Sequence, residues 1–190
     1  MCELDLIINM KNGNINAFEE IFELYKTPAV RTAYLISNNI SLSDDIVQET
    51  FIQVYINIDK LKEPEKFKFW FYKILTRTAW KMCSKEKRTV PVETIFDNIE
   101  PDMTFDILSS SEQREEIFKA INKLNIKQRT VIVLFYFNNM SIKEISLTLK
   151  CFEGTVKSRL YFAKKKLFVE LSSSNFFQIR KCDVNGYKRV

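Results

Sequence analysis

The sequence predicts an all-α protein in which two small helical domains are joined by an acidic flexible linker. Apolar residues recur at spacings of three and four over long stretches, which is the period of a helix with one buried face. Only 3 Gly and 4 Pro occur among 190 residues, too few for the turns that an all-β chain of this length needs. The chain is 46% hydrophobic and 28% charged, which is typical of a folded globular protein.

The first domain is assigned to residues 1–88, and its helical period begins near Asn16. Apolar side chains at positions 18, 21, 22 and 25 follow the spacing of one buried helix stripe. Pro28 is predicted to interrupt this helix, because proline has no amide hydrogen to donate. Further helices are predicted at residues 29–37, 44–58 and 67–85, after a polar break at 38–43 and a loop at 59–65.

Residues 89–111 are predicted to form the linker, because the helical period fades there and Pro91 and Pro101 appear. The stretch from residue 89 to residue 112 carries six acids and no base. The second domain is assigned to residues 112–171, and residues 172–190 are predicted to be a frayed tail. The four helices of the second domain are predicted at residues 113–124, 127–137, 141–149 and 154–171.

The residue inventory argues against an enzyme, a metal site and a membrane protein. Histidine is absent, which removes the commonest general base and transition-metal ligand, and the four cysteines include no C-x-x-C pair. The longest apolar run, Val131–Phe137, is far shorter than the roughly 20 residues of a membrane-spanning helix. We therefore expect a cytoplasmic protein that is not an enzyme and has no cofactor and no small-molecule substrate.

A helix-turn-helix is predicted between residues 141 and 171. Ser141 and Glu144 have capping-box spacing, in which each side chain bonds the amide of the other residue at the start of a helix. Two apolar stripes follow, so two helices joined by a tight turn would bury them together. The outward face of the second helix suits the DNA major groove, although a solvated basic helix is an alternative that spacing leaves open. That face carries Lys157, Ser158, Arg159, Tyr161, Lys164 and Lys165.

Two surfaces of the first domain are candidate binding sites. One is a polar patch with one apolar residue on the 44–58 helix. It is either a binding site for a partner helix or an ordinary solvated helix face. It consists of Asp45, Gln48, Glu49 and Ile52. The other is the aromatic and basic helix at 67–85, which suits single-stranded DNA unless most of its rings are core. Its candidate contacts are Trp70, Arg77, Lys81 and Lys85.

Two segments carry a resemblance to a known family. The segment GTVKSRL at residues 154–160, with Ser141 and Glu144 upstream, resembles the recognition helix of sigma factors of the extracytoplasmic-function (ECF) family in the sigma-70 superfamily. The segment DDIVQETF at residues 44–51 resembles the half of these proteins that docks on RNA polymerase. The resemblance spans about residues 17–171, with both segments in the order of the family.

The resemblance implies an alternative sigma factor whose partners are core RNA polymerase, promoter DNA and an anti-sigma factor. The polar patch would bind core polymerase, and the 67–85 helix with the loop at about 58–66 would read the −10 element. The outward face of the second helix would bind the −35 element through Lys157, Ser158, Arg159 and Tyr161. Lys150 stands where the family has a turn glycine and Phe152 where it has a capping Ser or Thr, so we expect a strained turn. Phe162 occupies a place that the family usually gives to arginine.

Two other functions would each explain part of the sequence. A helix-turn-helix transcriptional regulator with an N-terminal sensing domain would account for the second domain, but it predicts dimerisation heptads, which are not evident. A protein-binding module that sequesters a polymerase subunit would account for the polar patch. Sensitivity of DNA crosslinking to substitution of Lys157 and Arg159 separates that module from a DNA-binding protein.

Overall fold

The structure, a computed structural model, describes residues 2–86 and 111–173, and every regular element of these residues is helical, as predicted. The α-helices there are α1 (Glu3–Lys11), α2 (Ile15–Ser37), α3 (Ile40–Asn57), α4 (Phe67–Glu86), α5 (Ser111–Asn122), α6 (Ile126–Ile132), α7 (Ile142–Leu149) and α8 (Glu153–Ser173). Two 3-10 turns, at Ile58–Lys60 and Pro64–Lys66, separate α3 from α4, and a π-turn at Val133–Phe137 follows α6. Across these two ranges, no helix is both long enough and apolar enough to span a membrane. Residues 89–110 of the predicted linker and 174–190 of the predicted tail lie outside the described residues.

Two boundaries in the N-terminal half differ from the prediction. The predicted interruption at Pro28 is wrong, because α2 runs through this residue. Leu24 and Pro28 are both exposed, so the one carbonyl that loses its amide partner is on the solvent side of the helix. The predicted polar break shrinks to Asn38 and Asn39. Asn38 adopts a left-handed conformation with φ 58°, and Asn39 caps α3 by accepting from the amide of Leu42.

Helix α1 is missing from the sequence-based prediction. It has only nine residues, and further apolar side chains at positions 4 and 8 blur the pattern of its buried Leu6, Ile7 and Met10, which leaves a weak periodic signal. It packs on α2, where the hydroxyl of Tyr25 donates to the carboxylate of Glu3 at 2.5 Å. The described part of the N-terminal half therefore has four α-helices, the number predicted, but α1 is new and the helices predicted on either side of Pro28 are one helix, α2.

The aromatic start of α4 lies mostly in the core. Phe67, Phe71 and Tyr72 are buried, and Phe71 packs on Phe51 of α3 with ring centroids 5.3 Å apart. Tyr25 of α2 contacts the same ring at 4.9 Å. Burying a large apolar side chain stabilises a fold by roughly 1.5–3 kcal/mol. The packing of α4 against α2 and α3 therefore explains why the side chains at positions 67, 71 and 72 are aromatic.

The predicted helix-turn-helix is confirmed as α7 and α8. Ile145 of α7 and Val156 and Ala163 of α8 are fully buried where these helices meet each other and α6. Their small core fixes the direction of α8 across α7. The opposite side of α8 faces solvent along most of its length.

The two halves of the chain pack against each other, a contact that the sequence does not predict. Helix α4 lies on α7 and α2 lies on α6, and the buried apolar side chains of both halves form one cluster. Several hydrogen bonds cross this junction, among them Trp80 Nε1 to Thr130 Oγ1 at 2.9 Å, Asn138 Nδ2 to Thr32 Oγ1 at 3.0 Å, Arg129 Nη1 to the carbonyl of Ile36 at 3.0 Å, and Asn122 Nδ2 to Asn38 Oδ1. Thr32 and Asn138 are buried, so leaving either side chain without a partner would cost about 1–3 kcal/mol.

Candidate nucleic-acid and protein-binding surfaces

The helix-turn-helix begins with the predicted capping box. The amide of Ser141 donates to Glu144 Oε2 at 2.7 Å, and the amide of Glu144 donates to Ser141 Oγ at 3.3 Å. The hydrogen bonds from Ser141, first of all from its backbone amide, hold the pKa of the Glu144 carboxyl below its ordinary value. The capping box therefore fixes the start of α7 and with it the register of its buried face.

The turn between α7 and α8 is strained, as expected. Lys150 has φ 50° and ψ 53°, a left-handed conformation that is unfavourable for a residue with a Cβ atom. The amide of Cys151 donates to the carbonyl of Ser146 at 3.0 Å, which closes the turn as a Schellman motif. Phe152 directly precedes α8, is 86% exposed, and has no side-chain oxygen to cap the first amides of that helix.

Replacing Lys150 with glycine is expected to raise the free energy of unfolding by about 1 kcal/mol, because glycine adopts a positive φ without steric cost. Urea unfolding followed by circular dichroism measures the change. Lys143, which is exposed within α7, provides the matched control. Lys143→Gly should lower the same free energy by roughly 0.5–1 kcal/mol, since helical glycine is unfavourable. Similar losses for both substitutions would contradict strain at the turn.

The outward face of α8 carries the residues predicted to contact DNA. Val156, Leu160 and Ala163 are buried on the inner side of the helix. Of the predicted contacts, Arg159 is half-buried, and those that are exposed are Lys157, Ser158, Tyr161, Lys164 and Lys165. Residues 154–169 contain five bases and no acid, so this side of the helix attracts phosphates. The structure thus places five of the six predicted residues on the exposed surface of α8 and the half-buried Arg159 at its edge.

The far end of α8 is tied to the rest of the C-terminal half. Lys123, between α5 and α6, forms a salt bridge with Glu170 at 2.5 Å, and the ammonium of Lys166 donates to the carbonyl of Lys123. On the solvent side, the exposed rings of Tyr161 and Phe162 meet edge to face, with centroids 5.4 Å apart. Because α8 packs on α6 and α7 and is tied at its far end, its outward face has a defined position.

A groove of about 720 Å³ runs between α3 and α4 and holds most of the candidate residues of the N-terminal half. Its α3 wall contains the whole polar patch, and its α4 wall contains the basic residues predicted to follow a DNA strand. The lining residues are Asp45, Gln48, Glu49, Ile52 and Gln53 from α3, and Ile74, Arg77, Thr78, Lys81, Met82 and Lys85 from α4. The structure therefore brings together two sets of residues that the sequence assigns to different partners.

The two walls of the groove carry opposite charges. Asp45 on the α3 wall and Arg77 and Lys81 on the α4 wall are exposed, and Glu49 is half-buried, accepting from Gln53 Nε2 at 3.0 Å. Within the described parts of the chain, no ion pair shorter than 4.0 Å joins these two acids to these two bases. The acidic wall can therefore pair with a basic protein surface and would repel a phosphate, whereas the basic wall can attract phosphates.

Trp70 lies outside the set that lines the groove. It is half-buried and packs near Phe67, with ring centroids 6.1 Å apart. By helical spacing it shares the face of Arg77 and Lys81 and lies about two turns before Arg77. Part of the Trp70 ring is therefore accessible to solvent at the N-terminal end of the basic wall.

The sequence misses four residues that complete the walls of the groove. These are Gln53, Ile74, Thr78 and Met82. Gln53 follows Glu49 by four positions, and Thr78 and Met82 follow Ile74 by four and eight, so helical spacing was the available signal. Spacing alone does not reveal which two faces lie opposite each other, because that depends on how α3 packs on α4.

Two family descriptions match the chain. The description "Sigma-70 region 2" matches residues 21–89, which include both walls of the groove. The description "Sigma-70, region 4" matches residues 114–167, which include α7 and most of α8. Each candidate surface thus falls inside a matched region.

Curated relatives and solved structures agree with these matches. The ECF RNA polymerase sigma factor SigW of Bacillus subtilis is 32% identical, over 87% of this chain and 94% of that protein. The ECF RNA polymerase sigma-E factor of Escherichia coli is 27% identical, over 85% of this chain and 90% of that protein. CnrH, solved in complex with the cytosolic domain of CnrY, shares the fold with a TM-score of 0.69 at 20% identity, over 90% of this chain and 98% of that one. The sigma factor RpoE, solved with the anti-sigma factor NepR from Bartonella quintana, gives a TM-score of 0.68 at 22% identity, over 83% of this chain and 98% of that one.

Proposed function

The chain belongs to the extracytoplasmic-function sigma factors of the sigma-70 family, and from this membership we propose how its surfaces divide the work of transcription initiation. It acts with RNA polymerase in promoter-specific initiation. The match of residues 21–89 to Sigma-70 region 2 favours this function over a regulator with an N-terminal sensing domain. Residues 1–88 bind core polymerase and help to open the promoter, and residues 112–171 bind the upstream element. The polymerase supplies the catalysis.

The outward face of α8 binds the −35 element. The observation that carries this proposal is the exposure of Lys157, Ser158 and Tyr161 on the outward face of α8, with Arg159 at its edge. Lysine and arginine neutralise phosphates or bond guanine in the major groove, and serine and tyrosine hydroxyls bond base edges. Lys164 and Lys165 extend the phosphate contacts along the helix.

The groove between α3 and α4 serves the polymerase and the opened strand side by side. A polymerase helix docks on the α3 wall, where Ile52 is an exposed apolar anchor beside Asp45 and Glu49. The basic residues of α4 then border the docked helix and follow the phosphates of the opened −10 strand. They are Arg77, Lys81 and Lys85, with the half-buried ring of Trp70 available for a base.

Charge reversal on each wall tests this division. Glu49→Lys is expected to weaken binding to core polymerase at least about tenfold. The new lysine would repel the basic polymerase surface that pairs with Asp45 and Glu49. Lys81→Glu, its counterpart on the facing wall, should leave core binding intact and lower strand opening instead. Pull-down of core polymerase measures the first effect, and permanganate reactivity of unpaired promoter thymines measures the second. Equal loss of core binding in both variants would contradict the proposed division.

An anti-sigma factor is proposed as a further partner, and the cytoplasm as the location. CnrH and RpoE, which share this fold, were solved with the cytosolic domain of CnrY and with the anti-sigma factor NepR. A protein of that kind would have to cover the groove or the α8 face to block initiation. A sigma factor works where RNA polymerase and the chromosome are, which supports the cytoplasm.

A further inference from the structure

The loop between α3 and α4 has a buried base and an exposed tip. Ile58 and Leu61 are buried, and the two 3-10 turns on either side of Leu61 give the loop a defined path. The side chains of Lys62 and Glu63 at the tip are exposed. Glu63 forms an exposed salt bridge with Lys66 at 2.6 Å, a contact that contributes little to rigidity in water. The position of the tip therefore depends on how the base of the loop is held.

Helix α1 holds the base of this loop from outside the loop itself. The ammonium of Lys11, in the last turn of α1, donates to the backbone carbonyl of Leu61 at 2.5 Å. The two residues are 50 positions apart in sequence, and Lys11 is partly buried at this contact. Leu61 is the residue immediately before the exposed tip, so its carbonyl orientation sets the direction in which Lys62 leaves the base.

The end of α1 is itself fixed, so Lys11 acts from a rigid element. Leu6, Ile7 and Met10 bury one face of α1, and α1 packs against α2 and against both 3-10 turns of the loop. Gly13 has φ +84°, and this left-handed turn lets the chain pass directly from α1 to α2. A charged donor on a packed helix therefore meets a carbonyl on a loop whose tip has only solvent-exposed contacts.

We infer that Lys11 is a positioning residue for the loop at residues 58–66 and, through that loop, for recognition of the −10 element. This inference rests on the proposed function, in which the loop and α4 read the opened strand. Lys11 does not touch DNA in this account. Its hydrogen bond to Leu61 restrains the peptide before the tip, so that the loop meets the unpaired bases in one conformation rather than several.

The inference is tested with full-length chain and core polymerase on a duplex promoter. Lys11→Met removes the donor and keeps the apolar stem, Lys11→Arg keeps a cationic donor, and Lys26→Met removes an exposed lysine of the same half as a control. Permanganate reactivity of unpaired thymines reports strand opening, and a set of promoters with single substitutions in the −10 element reports base discrimination. Core affinity and the thermal midpoint are measured for every variant.

Lys11→Met is expected to lower strand opening about tenfold and to flatten discrimination at one or two −10 positions, as loss of a charge-assisted hydrogen bond predicts. Lys11→Arg should recover most of both effects, and Lys26→Met should match the original chain. If the Lys11→Met variant opens promoters and discriminates −10 bases normally, the inference about Lys11 is overturned and the proposed function is not. A variant that loses core affinity and thermal stability in proportion to opening also overturns it, because the role is then only structural. Failure of the original chain to open any promoter would overturn the proposed function together with this inference.

Discussion

Joining the two halves of the chain across their junction is expected to lower promoter-directed initiation on the order of 100-fold. Promoter positions −10 and −35 are about 25 base pairs apart, which is about 85 Å along B-form DNA at roughly 3.4 Å per base pair. A compact body with as many residues as 2–86 and 111–173 together has a radius of gyration of about 15 Å and is therefore about 40 Å across. The packed arrangement cannot place α8 on one element and α4 on the other. The halves must separate when both elements are bound.

Asn38 and Asn122 are suited to testing this separation. Their side chains are hydrogen-bonded across the junction, and both are half-buried, so reagents can reach them. Cysteine at both positions, in a chain whose other cysteines are alanine, can be joined by a short bismaleimide crosslinker. The crosslinked chain should initiate on the order of 100-fold less, since loss of one promoter element forfeits about 2.7 kcal/mol or more of binding. The same chain before crosslinking is the control, and equal initiation by both forms would contradict the account.

Replacing Lys157 and Arg159 together with alanine is expected to lower initiation at promoters that depend on the −35 element by about 30-fold or more. Each contact to a phosphate or a base edge is worth roughly 1–3 kcal/mol, so two contacts account for this loss. The fold should survive, because Lys157 is exposed and the buried side of α8 is unchanged. Runoff transcription over a salt series measures the change, and each lost phosphate contact should reduce the salt dependence by about one counterion.

A matched variant with Lys26 and Lys127 replaced by alanine removes the same formal charge from exposed positions off the α8 face. It should retain initiation at these promoters, apart from a small general electrostatic loss. If both double variants lose initiation to the same extent, the effect comes from net charge. In that case the assignment of the α8 face to the −35 element is contradicted.

Local signals in the sequence predicted the local parts of the fold well. The capping box at Ser141 and Glu144 depends on two residues three positions apart, and both of its hydrogen bonds are present. The strain at Lys150 followed from one residue type at a turn that needs a positive φ, and that φ is present. Pro28 misled the prediction, because the cost of one lost hydrogen bond on an exposed side of α2 is smaller than the gain from burying its other side.

Contacts between distant residues were beyond the reach of sequence spacing. Helical periodicity placed Glu49 and Lys81 on the correct faces of their helices, but only the packing of α3 on α4 makes them opposite walls of one groove. The junction between the halves depends on pairs such as Trp80 and Thr130, which are 50 positions apart and belong to different predicted domains. No periodic signal links such pairs, since each residue satisfies the pattern of its own helix.

Reconstitution on genomic DNA asks whether this chain is a promoter-specificity subunit for RNA polymerase. Core polymerase is incubated with the genome with and without the full chain, and the 5′ ends of the transcripts are mapped. We expect a discrete set of new start sites that appear only with the chain and share sequence elements near −10 and −35. These sites should be lost when Lys157 and Arg159 are both replaced with alanine. An unchanged pattern of 5′ ends, or activation that requires another sigma factor to remain on the polymerase, would contradict the proposed function.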